Sequence, residues 1–120
     1  MEPVKKECAA ADLQRAATVR MIILSDLSRK PTIRQLARKA GTNSSMLKRC
    51  FKTLFGITIY KFSLQTRLEH AKKLLSETDY TVQQVAEMTG DTEGSNLGRV
   101  FINHFGVTPG SVRQINNQKD

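Results

Sequence analysis

Residues 32–55 read TIRQLARKAGTNSSMLKRCFKTLF. Thr32 and the Gln35 three positions later form a capping box, which predicts the start of a short helix. The apolar face of this helix would comprise Ile33, Leu36, Ala37 and Ala40. Gly41 suits the left-handed backbone position after a helix end. A second helix over about 44–55 would follow, so the stretch has the helix-turn-helix pattern.

The same pattern recurs further along the chain. Residues 81–90 read TVQQVAEMTG. Thr81 and Gln84 form a second capping box, and Gly90 is placed to end the helix. A further helix over about 94–105 would follow. The chain therefore holds two helix-turn-helix units of one design.

Apolar residues at helical spacing predict three more helices. One covers about 12–28, and a long one over about 59–76 would span roughly 27 Å. Thr108 followed by Pro109 opens a short last helix near 109–115. We therefore predict an all-α fold of about seven helices, in which two helix-turn-helix subdomains are joined by a long linker helix.

The helix pattern also predicts the boundaries of the subdomains. We assign 1–11 to a linker or the truncated end of a longer chain, 12–58 to the first helix-turn-helix subdomain, 59–77 to the linker helix, 78–115 to the second subdomain and 116–120 to a disordered tail. The opening MEPVKKE is charged and lacks the apolar segment of a secretory signal. We expect a domain excised from a longer chain in preference to a stand-alone short regulator.

The net charge of +8 is unevenly distributed. Residues 1–60 hold 12 Lys and Arg against 4 Asp and Glu, whereas residues 61–120 hold 7 of each. All of the net positive charge therefore lies in the first half. A basic half indicates a polyanionic partner, with nucleic acid favoured over acidic lipid. No apolar run is long enough to predict a membrane span.

The residues that enzymes and metal sites need are scarce. His70 and His104 are the only histidines, and we interpret His104 as a packing residue. Carboxylate pairs, nucleophile elbows, phosphate-binding glycine loops and metal-ligand clusters do not occur, so we expect neither catalysis nor a cofactor. Cys8 and Cys50 lack metal-like spacing, and we expect two reduced thiols in a cytoplasmic protein, with a redox bridge between them as the alternative.

A helical projection of 44–55 separates a basic face from an apolar one. Lys48, Arg49, Lys52 and Thr53 lie within about 80° of Ser45. The opposite face carries Leu47, Cys50, Phe51, Leu54 and Phe55. A recognition helix has this arrangement, because its polar side chains reach base edges and Arg or Lys donates to guanine O6 and N7. The alternative is an ordinary solvated helix face.

The second unit has a weaker version of the same face. Its outward positions are Ser95, Gly98, Arg99, Ile102 and Asn103. Only Arg99 is basic, Gly98 and the Gly94 at the helix start offer no side chain to read a base, and Glu93 would repel phosphate. We therefore predict that the first unit is the main DNA reader and that the second is a weaker clamp.

Three stretches together resemble the DNA-binding domain of AraC-type transcriptional regulators. They are TIRQLARKAGTNSSMLKRCFKTLFGITIYKFSLQTRLEHAKKLL, TVQQVAEMTG and LGRVFINHFGVTPGSVR, and the resemblance covers about residues 13–115. It implies two tri-helical subdomains in successive major grooves of double-stranded DNA and a transcriptional activator that contacts RNA polymerase. It also implies a separate N-terminal effector domain in the full-length protein. The run GTNSSMLKRCFKTLFGITIY is more similar to the siderophore-responsive branch than to the sugar-responsive one.

The resemblance assigns roles to individual residues. Base reading falls to Ser45, Lys48 and Arg49 in the first unit and to Ser95 and Arg99 in the second. Phosphate contacts, to which we add Arg34 on the same basic helix, fall to Thr32, Arg34, Arg38, Lys52, Lys61 and Thr81. The second unit departs from the family pattern, since Asp91 and Asn96 replace aromatic residues and Ile102 replaces a lysine.

Two functions from different classes follow from these patterns. The first is a monomeric, sequence-specific DNA-binding domain of a cytoplasmic transcriptional regulator. The alternative is a degenerate helix-turn-helix module that docks on another regulator or on RNA polymerase. Binding to random duplex DNA at low salt distinguishes the two.

Overall fold

The computed structural model of the protein describes residues 8–91 and 96–117. All regular structure in these ranges is helical, which confirms the predicted all-α fold. The helices are α1 (Ala10–Ser25), α2 (Ile33–Ala40), α3 (Ser44–Phe55), α4 (Ile59–Glu77), α5 (Val82–Met88), α6 (Asn96–Phe105) and α7 (Pro109–Asn117). Since α7 continues to Asn117, the first two residues of the predicted tail are helical, while 118–120 lie outside the described ranges.

The chain divides into two compact units within α4. The first comprises the residues up to Asp26 together with Pro31–Ser63, and the second comprises Leu27–Lys30 and the residues from Leu64 onward. The sequence-based boundaries put Leu27–Lys30 in the first subdomain, whereas the structure packs this segment with the second. A long-range contact accounts for the difference, because the buried Arg67 guanidinium donates to the Arg29 carbonyl oxygen.

The first unit is built around α1 and α3. Its buried apolar side chains are Ala16, Val19, Ile23, Leu36, Ala37, Leu47, Cys50, Phe51 and Ile59. The Phe51 ring packs against Phe55 and Phe62, with centroids 4.7 and 5.6 Å apart. Leu54, which the projection placed on the apolar face, is 41% exposed. The apolar face of α3 is therefore narrower than predicted.

A disulfide bond joins Cys8 to Cys50 in the first unit, with an S–S distance of 2.17 Å and a Cα–Cα distance of 5.7 Å. The expectation of two separate reduced thiols was therefore wrong. The pair meets because Cys8 lies directly before α1, which packs against α3. Cys50 is also a core residue, since it is only 1% exposed.

The second unit has its own apolar core, contributed by α4, α5, α6 and α7. Its buried members are Leu68, Ala71, Leu75, Val85, Ala86, Leu97, Phe101 and Val112. Phe101 packs against Phe105 at 4.6 Å, as Phe51 packs against Phe55. Arg113 of α7 donates to the carbonyl oxygens of Thr78 and Tyr80. Burial lowers the pKa of the Arg67 guanidinium below its usual value.

Candidate nucleic-acid interface

Side-chain caps fix where α2 and α3 begin. Thr32 Oγ1 accepts from the Gln35 amide at 3.1 Å, and Gln35 Oε1 accepts from the Thr32 amide at 2.9 Å. Gly41 follows α2 with φ of 82°, a conformation that favours glycine. Asn43 Oδ1 then accepts from the Met46 amide at 2.9 Å and caps α3. These local bonds complete the predicted helix-turn-helix pattern.

The outward face of α3 presents the predicted polar and basic residues to solvent. Ser45, Lys48, Lys52 and Thr53 are exposed, whereas Arg49 is half-buried. Leu47, Cys50 and Phe51 fill the opposite face. Helix α3 therefore shows one basic face and one core face.

Arg49 lies along the helix instead of extending from it. Its Nη2 donates to Met46 Sδ at 3.2 Å, and its Nε is buried with no hydrogen-bond partner among the described residues. A base contact through Nη2 would require this group to leave Met46. Sequence reasoning missed the role of Met46, although a side chain three residues before Arg49 on a helix is a neighbour by spacing alone.

The predicted phosphate contacts around α3 are also solvent-accessible. Thr32, Arg34 and Arg38 of the α2 region are exposed, and so is Lys61. Lys61 lies in the first turn of α4, where its backbone amide donates to Thr58 Oγ1 at 3.1 Å. Because Thr58 already satisfies this amide, a phosphate contact at Lys61 would come from its exposed side chain.

The first helix-turn-helix unit carries uncompensated positive charge. Residues 32–56 contain six Lys and Arg and no Asp or Glu. Among the described residues, no carboxylate forms a salt bridge with the predicted contact residues of this unit. Other cations are already engaged, since Arg15 pairs with Asp12 at 3.2 Å and Arg20 lies over the Phe55 ring at 5.7 Å. The available charge is therefore concentrated on α2, α3 and the start of α4.

The second unit repeats the backbone design but not the charge. Thr81 Oγ1 caps α5 by accepting from the Gln84 amide at 3.0 Å, and Thr81 is exposed. Gly90 has φ of 86°, and a Cβ there would lie 3.1 Å from Arg67 Nε. Asp91 Oδ2 accepts from the Leu97 amide at 2.6 Å. An acidic group thus lies at the start of α6, where the first unit has the neutral Asn43.

The outward face of α6 has one cation. Arg99 is exposed, and its Nη2 donates to Asn96 Oδ1 at 2.6 Å. Ile102 is 44% exposed, and a Cβ added at Gly98 would meet nothing within 4 Å. The predicted contact Ser95 lies outside the described residues. Among the described residues on the outward face of α6, only Arg99 has a charged side chain that could contact DNA.

Other kinds of site find no support in the described residues. No group of three or more His, Cys, Asp and Glu side chains there could hold a metal ion. None of the described helices is both long enough and apolar enough to cross a membrane. His104 packs edge-on against Phe105 at 4.6 Å and lies 3.9 Å from Glu69 Oε1, but the residue is exposed overall and so is less buried than the predicted packing role implies.

Comparison with known proteins identifies the class. A family model described as a helix-turn-helix domain matches residues 36–115. The probable transcription factor PqrA of Proteus vulgaris is 32% identical over 85 residues, which cover 71% of this chain and 70% of PqrA. The transcriptional activator AggR of Escherichia coli is 30% identical over 91 residues, covering 76% of this chain and 34% of AggR.

Solved structures agree with these relatives. The DNA-binding domain of the global transcriptional factor AdpA, solved in complex with a target DNA, has a TM-score of 0.83 and 25% identity, covering 88% of this chain and 95% of that one. A probable AraC family transcriptional regulator from Rhodopseudomonas palustris has a TM-score of 0.72 and 26% identity, covering 86% and 97%.

The chain belongs to the AraC-type helix-turn-helix family of transcription regulators, in the part that forms their DNA-binding domain. Its length relative to these proteins varies. It spans 70% of PqrA, 45% of the probable regulator LumQ of Photobacterium leiognathi and 34% of AggR.

Proposed function

We propose that this domain binds double-stranded DNA sequence-specifically and that α3 is its main reader. The main support for the proposal is the charge of residues 32–56, which contain six basic residues and no acid. These residues form a helix-turn-helix whose helices begin at side-chain caps. In an isolated helix such charge would be an ordinary solvated face. Next to a helix-turn-helix turn, it matches the chemistry of the DNA major groove.

In this proposal the residues of α3 divide the work between bases and backbone. Ser45 at the start of the helix and the exposed Lys48 face base edges, and Arg49 leaves Met46 to donate two hydrogen bonds to a guanine. Lys52 at the far end of the face contacts phosphate. A bidentate contact of this kind contributes about 1–3 kcal/mol of discrimination against other bases.

The residues around α3 would fix its register on the duplex. Arg34 and Arg38 on α2 and Lys61 on α4 donate to phosphate oxygens, and the Thr32 hydroxyl adds a neutral contact. Such contacts carry no sequence information but position the reading helix. They also make affinity depend steeply on salt, because each neutralised phosphate releases counterions.

The second unit would bind more weakly. Arg99 and Ser95 are its proposed base contacts and Thr81 its phosphate contact. The acid at Asp91 and the apolar Ile102 lower its attraction to phosphate relative to the first unit. The proposal therefore has two reading helices of unequal strength.

Selection of bound sequences from a random duplex library tests this function. We expect a half-site that is strongly specified and read by α3, with a second half-site that tolerates more bases. We also expect affinity to fall steeply between low and physiological salt. Failure to bind any duplex at low salt would refute DNA binding and favour the protein-interaction alternative.

The setting of the domain is proposed from its relatives. AggR is named as a transcriptional activator, which supports a role in activation, and we propose that activation works through a contact with RNA polymerase. Because the chain spans 34% of AggR, we propose that the full-length protein also carries an N-terminal effector domain. The isolated domain would act as a monomer, in the cytoplasm and without a cofactor.

A further inference from the structure

We propose that Cys8 and Cys50 form a reversible thiol–disulfide modification site that tunes DNA binding by α3, an inference that rests on the proposed function. The two Cα atoms lie 5.7 Å apart, in the range that disulfides adopt, although 42 positions separate them in sequence. The bond therefore ties the segment before α1 to the middle of the proposed reading helix.

The two sulfur atoms differ in accessibility, which determines the chemistry of the site. Cys50 is 1% exposed, whereas Cys8 lies outside the helices and is only partly buried. Thiol–disulfide exchange depends on access to the sulfur that is attacked. An external thiolate would therefore attack Cys8 Sγ, and Cys50 Sγ would be the leaving group.

The exchange balances with a small thiol as co-reactant. The thiolate forms a mixed disulfide with Cys8 as the Cys8–Cys50 bond breaks, and Cys50 keeps the electron pair and takes up a proton. A second small thiolate then attacks the small-molecule sulfur of the mixed disulfide, so that Cys8 leaves as a thiolate and takes up a proton. In total one protein disulfide is reduced to two thiols, and two small thiols are oxidised to one disulfide. Oxidised glutathione would run the same steps in reverse.

The proposed cytoplasmic location is more consistent with a reversible Cys8–Cys50 disulfide than with a permanent cross-link. Disulfides in cytosolic proteins are usually transient, catalytic or redox-sensing, because thiol reductants keep other pairs reduced. A domain that acts on DNA in the cytoplasm would meet these reductants. The bond would then report the thiol balance of the cell.

A chain of contacts links the bond to the proposed base reader. Cys50 Sγ lies 3.5 Å from Met46 Sδ, and Met46 Sδ accepts from Arg49 Nη2 at 3.2 Å. All three residues lie within about one turn of α3. A change at Cys50 would therefore alter the packing of Met46, against which Arg49 rests.

The direction of the effect follows from pre-organisation. The bond restrains α3 relative to the start of α1, so the oxidised form has less conformational freedom to lose when DNA binds. We expect the oxidised form to bind its selected duplex about three- to tenfold more tightly than the reduced form.

Alkylation in a graded series of reduced-to-oxidised glutathione ratios tests the modification site. The exchange is quenched with acid, the full chain is unfolded in denaturant, and its free thiols are then alkylated with iodoacetamide and counted by mass spectrometry. We expect one transition from two free thiols to none. With Cys50→Ala, glutathione should accumulate on Cys8, whereas with Cys8→Ser the buried Cys50 should stay unmodified. Equal reactivity of the two variants, or a wild type that never forms the bond, would overturn the assignment.

DNA binding by the same samples tests the tuning. A gel-shift titration with the selected duplex should give a tighter oxidised form of the wild type and a Cys8→Ser variant that does not respond to glutathione. Equal affinities of the oxidised and reduced wild type would overturn the tuning. A chain that binds no duplex in either state would refute the proposed function itself, while the alkylation measurement still decides the modification site.

Discussion

The two helix-turn-helix units share a framework and differ in charge. In each, a threonine capping box starts the first helix and a glycine with positive φ follows it. The second helix of each unit, α3 or α6, buries a Leu and a Phe. Yet residues 32–56 carry six basic residues and no acid, whereas residues 81–106 carry Arg99 alone against three acids. The buried positions that build the framework are shared, and the two units differ in the charge of their remaining positions.

The same difference in charge is found at the starts of α3 and α6, in the side chain that accepts a hydrogen bond from a helix amide. Asn43 caps α3 with a neutral amide oxygen, whereas the Asp91 carboxylate accepts from the Leu97 amide of α6. Both side chains satisfy an amide group at a helix start. The Asp91 carboxylate also brings a negative charge to the start of α6, where the helix amides would otherwise attract a phosphate.

The largest expected effect tests whether the two frameworks are equivalent. Phe51 and Phe101 are each fully buried and each pack on a second Phe. Phe51→Ala and Phe101→Ala should each lower the free energy of unfolding of their unit by about 3–5 kcal/mol. Urea unfolding followed by circular dichroism measures this loss. Ile102→Ala is the control, because its side chain is exposed and should change little.

Much of this framework could be predicted because its signals are local. The capping boxes at Thr32 and Thr81 and the glycines that follow each helix act within a few residues. Helical spacing alone also predicts which residues of α3 lie on its basic face. Ser45, Lys48 and Lys52 are exposed as predicted.

The structural features that the sequence patterns do not predict depend on contacts between residues distant in sequence or on side-chain conformation. The disulfide joins positions 42 apart in sequence, and Arg67 reaches the carbonyl of Arg29. On α1, apolar residues occur on more than one side, so spacing alone could not show that Met21 is 62% exposed. The half-burial of Arg49 depends on its rotamer, which no sequence pattern specifies.

A smaller effect concerns the two capping threonines. Thr32→Ala and Thr81→Ala each remove a cap of the same geometry and should each cost about 1 kcal/mol of stability. Affinity for DNA should fall more for Thr32→Ala, because the unit it supports carries the main contacts. Thr32→Ser and Thr81→Ser, which keep the hydroxyl, are the controls. A larger affinity loss for Thr81→Ala would reverse the assigned roles.

The smallest effect comes from exchanging one charge between the units. Lys52 and Ile102 follow the equivalent buried Phe51 and Phe101 and are both exposed. Lys52→Ile should weaken DNA binding about two- to fivefold, the size expected of one exposed ion pair, and Ile102→Lys should strengthen it by a similar factor.

Salt titrations separate this charge effect from a change in folding. The dependence of log affinity on log salt should become shallower by about one for Lys52→Ile and steeper by about one for Ile102→Lys. A slope that stays unchanged in both variants would show that neither position approaches a phosphate.

The central claim is that the first unit reads DNA and the second assists. Arg49→Ala and Arg99→Ala, compared in one gel-shift titration on the selected duplex, test it most directly. Thermal melting of both variants first checks that they fold. Arg49→Ala should weaken specific binding by about 1–3 kcal/mol, and Arg99→Ala should cost less. Equal losses, or a larger loss for Arg99→Ala, would contradict the unequal roles of the two units.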